Sequence, residues 1–125
     1  MNKKIKDLSF SEMMEMQRTL HAMHEGEWEP LEKEYGIHSM LWMVEEMGEA
    51  IAVIKKKRHD AIVNESAVRE AFLEEMSDVL MYFTDTLLRY QVTPEEIGKA
   101  YVKKHLKNKG RHYLEEYSHL FEGED

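Results

Sequence analysis

The amino-acid sequence predicts an all-α fold, a four-helix-bundle-like arrangement within one domain. Apolar residues recur at helical intervals over long segments, whereas the short alternating runs of Val, Ile and Thr that mark strands are missing. The length of 125 residues suits a single domain with a small hydrophobic core. We expect one domain over 1–125, with its core at about 10–111 and a C-terminal tail at 112–125.

The first helix is predicted from Ser9 to about His24. Ser9 and Glu12 have the spacing of a capping box, in which each side chain accepts a hydrogen bond from the other residue's backbone N–H. Gly26 and Pro30 then favour a break in the helix. A short turn is therefore expected before the second helix.

The second helix is predicted from about Ile37 to Lys57. We expect its apolar stripe, centred on Val44, to face the protein's own core. Cations occupy 55–58, at the end where the helix dipole favours positive charge, and the segment RHDAIVNES at 58–66 is the expected connector. The residues of the stripe are Ile37, Met40, Val44, Met47, Ile51 and Ile54.

The third helix is predicted from about Ser66 to Tyr90, and the fourth has the clearest start signal in the chain. Thr93 suits the N-cap, Pro94 follows at the first helical position, and a glutamate completes a capping box. The fourth helix is expected to run to about Lys109, since the glycine that follows is a common helix end.

Composition limits the classes of function. The chain has no cysteine, which excludes disulfides and thiolate metal sites and fits a reducing cytoplasm. We find no signal-peptide pattern and no apolar run of membrane-spanning length, so we expect a cytoplasmic protein without a membrane partner. A net charge of −8 disfavours binding to a nucleic-acid polymer, and an acidic ligand would need cations between it and the protein.

Three glutamates interrupt the apolar stretch WMVEEMGEAIAVI at 42–54 of the second helix. With Val44 taken as the core direction and about 100° per residue, Glu46 and Glu49 project together from the opposite face, with Glu45 near its edge. Trp42 flanks these acids, so we do not expect this face to be simply solvated.

The third helix carries a second acidic stripe beside its apolar one. Helices joined by a short connector are antiparallel neighbours, so the acids of the second and third helices can face each other. Carboxylates that close together repel unless a hard divalent cation binds them, and oxygen ligands suit Mg²⁺ or Mn²⁺. The alternative is surface acids, because pairs with the same spacing recur elsewhere by chance. The acidic stripe consists of Glu75, Asp78, Tyr82, Asp85 and Arg89.

The fourth helix has a predicted inward stripe that changes from apolar to cationic. It begins with Ile97 and Tyr101 and continues with Lys104, Asn108 and Arg111. Lys and Arg side chains there can hold phosphate oxygens. The alternative is a solvated basic helix end, which the helix dipole also favours.

These segments together resemble a known family. Glu45-Glu46-x-x-Glu49, then 25 residues, then Glu75-x-x-Asp78, resembles the EExxE…ExxD signature of the MazG-like, all-α nucleoside-triphosphate pyrophosphohydrolases. The fourth-helix pattern, ending in Lys104-x-x-x-Asn108-x-x-Arg111, resembles the C-terminal K…N…R element of that family. The likeness covers about residues 10–111.

The resemblance implies a MazG-type fold completed by dimerisation and hydrolysis of a nucleoside or deoxynucleoside triphosphate to monophosphate and pyrophosphate. A house-cleaning role against non-standard nucleotides would follow, in a homodimer or homotetramer. The implied cofactor is Mg²⁺, with Mn²⁺ as the alternative ion, and Glu45 is an implied auxiliary catalytic residue. The implied catalytic metal ligands are Glu46, Glu49, Glu75 and Asp78, and the implied phosphate-binding residues are Lys104, Asn108 and Arg111.

The base-binding candidates are Trp28, His38, Trp42 and Tyr82. Each tryptophan equally suits the core or an interface. A histidine pair at 21 and 24 lacks partner ligands in the sequence, so we expect an ordinary helix surface or core edge there. Two other functions stay open: the related phosphoribosyl-ATP pyrophosphohydrolase step of histidine synthesis, and a non-catalytic helical protein-interaction module.

Overall fold

The computed structural model describes residues 6–110, which form four α-helices and no β-strand, as the all-α prediction expects. A short 3₁₀ turn over Lys33–Tyr35 leads directly into the second helix. The chain divides into two compact units, Met1–Gln91 and Val92–Asp125. The helices are α1 (Phe10–Met23), α2 (Gly36–Asn64) and α3 (Ser66–Arg89) in the first unit, and α4 (Pro94–Lys109) in the second.

The predicted starts of α1 and α4 are confirmed by complete capping boxes. The backbone N–H of Glu12 donates to Ser9 Oγ at 3.1 Å, and the Ser9 N–H donates to the Glu12 carboxylate at 2.8 Å. Thr93 and Glu96 make the same reciprocal pair at 3.1 and 2.9 Å. Both boxes satisfy backbone donors that a helix start leaves without intrahelical partners.

The connector predicted at 58–66 is wrong. α2 continues to Asn64, and only Glu65 separates it from α3. Arg58 adopts a φ of 72° and interrupts the helical path, after which the chain becomes helical again. Half-buried Ala61 and Ile62 give this last part of α2 an apolar side, which explains why it is helical and not a loop.

Within the first unit, α3 lies between the other two helices and packs against both. The ring of Phe10 on α1 meets the ring of Phe83 on α3 edge to face, with centroids 6.0 Å apart. On the other side, Ser39 of α2 hydrogen-bonds Thr86 of α3 through their hydroxyl oxygens at 2.7 Å. The acidic stripe of α3 thereby lies between two neighbouring helices.

The predicted core direction of α2 is wrong for this chain. The side that packs on α3, the inner face, consists of Ser39, Met43, Glu46 and Ala50 at helical spacing, and it is buried or half-buried. Val44 lies on the opposite side and is 57 % exposed. The pattern identified an apolar stripe correctly but could not show what covers it. This outer face consists of Ile37, Met40, Leu41, Val44, Met47 and Ile51, all exposed.

The start of α2 is held close to the end of α3. Gly36 is buried, and a Cβ at this position would clash with the Cε2, Cζ and hydroxyl oxygen atoms of Tyr90. Its φ of −60° is an ordinary helical value, so the requirement here is for small size and not for unusual backbone freedom.

The inward stripe predicted for α4 is half-buried at Ile97 and exposed at the other positions that the structure describes. Tyr101 is 76 % exposed and Lys104 and Asn108 are exposed as well, whereas Leu106 is the buried residue of this helix. Across residues 6–110, no helix is both long enough and apolar enough to cross a bilayer.

Candidate functional site

Three acidic side chains converge where α2 passes α3. Glu46 comes from the inner face of α2, and Glu75 and Asp78 come from successive turns of α3. One carboxylate oxygen from each lies within 4.8 Å of the other two, and all three residues are half-buried. We call this group the acid triad.

The electrostatics of the acid triad favour a bound cation. Burial raises the pKa of Glu46, and a hydrogen bond with Glu75 and the negative charges of Asp78, Glu75 and Glu49 raise it further. Glu46 therefore holds a proton more tightly than an ordinary glutamate. Because a divalent cation would offset the repulsion among these carboxylates, and all available ligand atoms are carboxylate oxygens, the triad fits Mg²⁺ or Mn²⁺.

The structure brings together three of the four predicted metal ligands. Glu49 is exposed one turn further along α2, where it lines a shallow cleft of about 330 Å³ with Glu75 and the basic residues Lys56 and Lys57. Its charge reaches Glu46, but its carboxylate lies outside the triad. Glu45 is exposed too, and its auxiliary catalytic role stays a prediction. Metal binding likewise stays a prediction for the four implied ligands, Glu46, Glu49, Glu75 and Asp78.

A cavity of about 430 Å³ adjoins the acid triad, and Glu46 and Asp78 form part of its wall. Three of the four predicted base-binding residues, Trp28, Trp42 and Tyr82, line it as well. The rings of Trp42 and Tyr82 lie with centroids 5.8 Å apart, and planar walls of this kind can stack against a heterocycle. Leu20 and Met81 add apolar surface.

His38, the fourth predicted base-binding residue, supports the cavity from behind. It does not line the cavity, but its ring lies 5.9 Å from that of Trp42. Its Nδ1 lies 2.8 Å from Glu29 Oε2, and Glu29 is itself a wall residue. His38 is therefore placed to orient wall residues.

Tyr82 faces a strongly negative surrounding. Burial raises the pKa of its hydroxyl, and the negative charges of Glu46, Asp85, Asp78 and Glu45 raise it further. The phenol therefore stays neutral at physiological pH and can donate a hydrogen bond to a ligand.

Motif analysis assigned no site role to the polar wall of the cavity. Gln17 and His21 of α1 both contact Asp85 Oδ1, through their Nε2 atoms at 2.9 and 3.0 Å. All three side chains are buried and line the cavity. The sequence indicated this group only through the position of Asp85 on the acidic stripe of α3. Its contacts to α1 join residues 64 and 68 positions apart, and no pattern within one helix reveals them.

Arg89 is the next buried charge along α3 and also lines the cavity. Its Nη1 donates to the Tyr35 carbonyl at 3.2 Å and to Glu29 Oε1 at 3.4 Å, and its guanidinium carbon lies 6.0 Å from the centre of the Trp42 ring. Within residues 6–110 its buried Nε has no hydrogen-bond partner. The cavity wall thus contains a buried permanent cation as well as its carboxylates.

The predicted phosphate-binding residues belong to the second unit. Lys104 and Asn108 are exposed on one side of α4, at the spacing of one helical turn. Arg111 lies outside the described residues. Phosphate binding by these residues stays a prediction.

No protein-family model matches the chain, and neither the curated proteins nor the solved structures include a match to it.

Proposed function

We propose that the protein is a Mg²⁺-dependent nucleoside-triphosphate pyrophosphohydrolase of MazG-like type, acting on ribo- or deoxyribonucleotides. The observation that carries this proposal is the acid triad at one end of an aromatic cavity. A nucleotide has the complementary composition, with a polyphosphate that requires cations and a planar base that stacks on aromatic rings.

In this proposal Glu46, Glu75 and Asp78 hold the cation, and Glu49 joins them by rotation of its exposed side chain. When bound, Mg²⁺ supplies positive charge that offsets the charge of the triphosphate and of the leaving pyrophosphate. Ionised carboxylates are needed for this, so Glu46 releases its proton when the cation binds.

The remaining wall residues position the substrate. Trp28 and Trp42 stack on the base. Neutral Tyr82, one turn from Asp78, donates a hydrogen bond to the part of the nucleotide that lies between the base and the phosphates. Water attacks the α-phosphorus as the bond to the bridging oxygen of pyrophosphate breaks, and a carboxylate accepts the proton that the water loses. Positioning and charge stabilisation provide most of the catalysis in such transfers.

The proposed assembly is a homodimer or a dimer of dimers, formed through the outer face of α2. Six large apolar side chains share this exposed face, and exposed apolar patches of this kind commonly mark protein–protein contacts. A second copy presents the same stripe, so a two-fold interface would be self-complementary.

The test is pyrophosphate release in Mg²⁺ from a panel of common and damaged nucleotides, with phosphoribosyl-ATP included. We expect release by the wild type and a loss of at least about 100-fold in the Glu75→Gln variant. Glu70→Gln makes the same chemical change at an exposed position of α3 and should retain activity. If the wild type releases no pyrophosphate from any member of the panel, the proposal is wrong.

A second candidate function is a non-catalytic helical module that binds another protein. The outer face of α2 favours it, since a partner of any kind would bury those apolar residues. In that case the acid triad would bind at most a structural cation, and the same pyrophosphate assay separates the two functions.

A further inference from the structure

Asp85 lies at the end of the cavity remote from the acid triad. It follows Asp78 by seven residues on α3, which is about 10 Å along the helix axis. Both residues line the cavity. A nucleotide whose phosphates lie at the triad would therefore direct its base towards Asp85.

The Asp85 carboxylate is fixed in place by α1. Its Oδ1 accepts a hydrogen bond from Gln17 Nε2 at 2.9 Å and lies 3.0 Å from His21 Nε2, and the residue is only 4 % exposed. Because a carboxylate accepts, we assign the His21 proton to Nε2. Arg89, one turn further along α3, places a positive charge nearby.

Among residues 6–110, both hydrogen bonds to the Asp85 carboxylate use Oδ1, and none uses the second oxygen, Oδ2. The one fully buried polar side-chain atom without a partner in this part of the chain is Arg89 Nε. Asp85 Oδ2 is therefore not sealed inside the protein but accessible at the cavity wall. A fixed acceptor with one open position on a cavity wall is suited to a ligand donor.

We propose that Asp85 is the specificity-determining residue of the cavity and that its Oδ2 accepts a hydrogen bond from the exocyclic amino group of the base. This inference rests on the proposed function for the identity of the ligand as a nucleotide. It assigns the substrates to amino-bearing bases, such as cytosine and adenine, in preference to their deaminated counterparts, uracil and hypoxanthine.

The chemistry of the two base types explains the preference. Deamination replaces an N–H donor by a carbonyl oxygen, which would place two acceptors against each other at Asp85. The ring N–H that uracil offers instead is flanked by carbonyl oxygens on both sides, so an approaching carboxylate also meets those acceptors. A site built to accept a hydrogen bond rejects an analogue that lacks the donor.

The experiment compares kcat/KM for two matched pairs, dCTP with dUTP and dATP with dITP. We expect the wild type to prefer the amino-bearing member of each pair by about tenfold or more. Asp85→Asn has nearly the same shape and offers an amide in place of the carboxylate, so the preference should collapse towards unity. Asp60→Asn makes the same chemical change at an exposed position of α2 outside the cavity and should leave the ratios unchanged.

The wild-type ratios alone decide the inference if Asp85→Asn does not fold. Equal rates within each pair, or a preference for dUTP and dITP, would overturn it, and so would a preference that persists in folded Asp85→Asn. Calorimetric binding of dCMP and dUMP separates this inference from the proposed function. Tighter binding of dCMP without any pyrophosphate release supports Asp85 and refutes the hydrolase, whereas hydrolysis without base preference does the reverse.

Discussion

The side of α2 that packs on α3 carries one large apolar residue, Met43, among small and polar ones, whereas the opposite side carries six large apolar residues that are exposed. On the inner face Ser39 is fully buried and Glu46 belongs to the acid triad. On the outer face Ile37 and Ile51 are 57 % and 54 % exposed. Large apolar residues are more often buried than exposed in a folded chain. The difference teaches that α2 directs polar residues to the candidate site and leaves large apolar residues exposed, as the proposed self-association requires.

The largest effect is expected from a charge placed on the outer face. We expect Val44→Asp to weaken self-association at least about 100-fold, because the interface would have to bury an unpaired carboxylate. Sedimentation velocity over a range of protein concentrations measures this. Asn64→Asp adds the same charge at an exposed position away from the stripe and should associate like the wild type. A wild type that is monomeric at every concentration would rule out the proposed homo-oligomer.

Added volume should have opposite effects on the two faces. Ala50 is buried on the inner face, so Ala50→Leu should lower the free energy of unfolding by about 1–3 kcal/mol through overpacking. Gly48 lies along the outer face, and a Cβ there meets nothing within 4 Å. Gly48→Ala should therefore raise stability by roughly 0.5–1 kcal/mol, owing to the better helix propensity of alanine.

Urea denaturation followed by circular dichroism measures both changes. The Gly48 variant is best compared within the Val44→Asp background, where a second copy would not cover the added methyl group. Equal effects at the two positions would mean that the faces do not differ in packing.

Mg²⁺ should act on the inner face alone. A cation that binds only the folded acid triad raises the free energy of unfolding by about 1 kcal/mol at roughly five times its Kd. We expect a higher melting temperature in Mg²⁺ than in EDTA for the wild type and for Val44→Asp, and no such gain in Glu46→Gln. A midpoint that does not respond to millimolar Mg²⁺ would argue against a metal site at the triad.

The smallest expected effect is a dependence of that gain on pH. The pKa of Glu46 is raised above its ordinary value of 4.5, so the proton competes with Mg²⁺ at a higher pH than for an ordinary glutamate. The Mg²⁺ stabilisation should be complete above the raised pKa and should be lost as the pH falls through it. In EDTA the effect of pH on stability through Glu46 has the opposite sign. The folded state binds the Glu46 proton more tightly than the unfolded state does, so this group adds stability at low pH and the contribution is lost as the pH rises through the raised pKa.

Melting curves from about pH 7.5 to about pH 4, with and without Mg²⁺, test this dependence, because the range extends below the ordinary pKa of a glutamate. A gain that stays constant over the whole range would show that Glu46 does not compete with the cation.

Local signals predicted the helices well and failed where a second element decides the outcome. Capping boxes at Ser9 and Thr93 depend on residues three positions apart, so their sequence pattern is sufficient. The predicted end of the second helix at about Lys57 coincides with the break at Arg58, whereas the helix that continues beyond this break was not predicted. The apolar stripe around Val44 indicates burial somewhere, but a helical pattern does not identify the surface that covers it.

The residues of the candidate site were predictable where a pattern within one helix marks them, and their contacts between helices were not. Spacing within α2 and α3 marks the acids and the aromatic residues, and the structure groups Glu46 with Glu75 and Asp78. Spacing also marks Glu49, but this residue is exposed about one turn further along α2, and its carboxylate lies outside the triad. The contacts of Gln17 with Asp85 join positions 68 residues apart, and no pattern within one helix contains that information.

Gly36 allows a close approach between α2 and the end of α3. Because it carries no Cβ, the first turn of α2 can lie against the edge and the hydroxyl group of the Tyr90 ring. The carbonyl of the neighbouring Tyr35 accepts a hydrogen bond from Arg89 Nη1 at 3.2 Å, and Arg89 is part of the cavity wall. A position that contributes no side chain thus adjoins the backbone that holds a buried cation of the cavity.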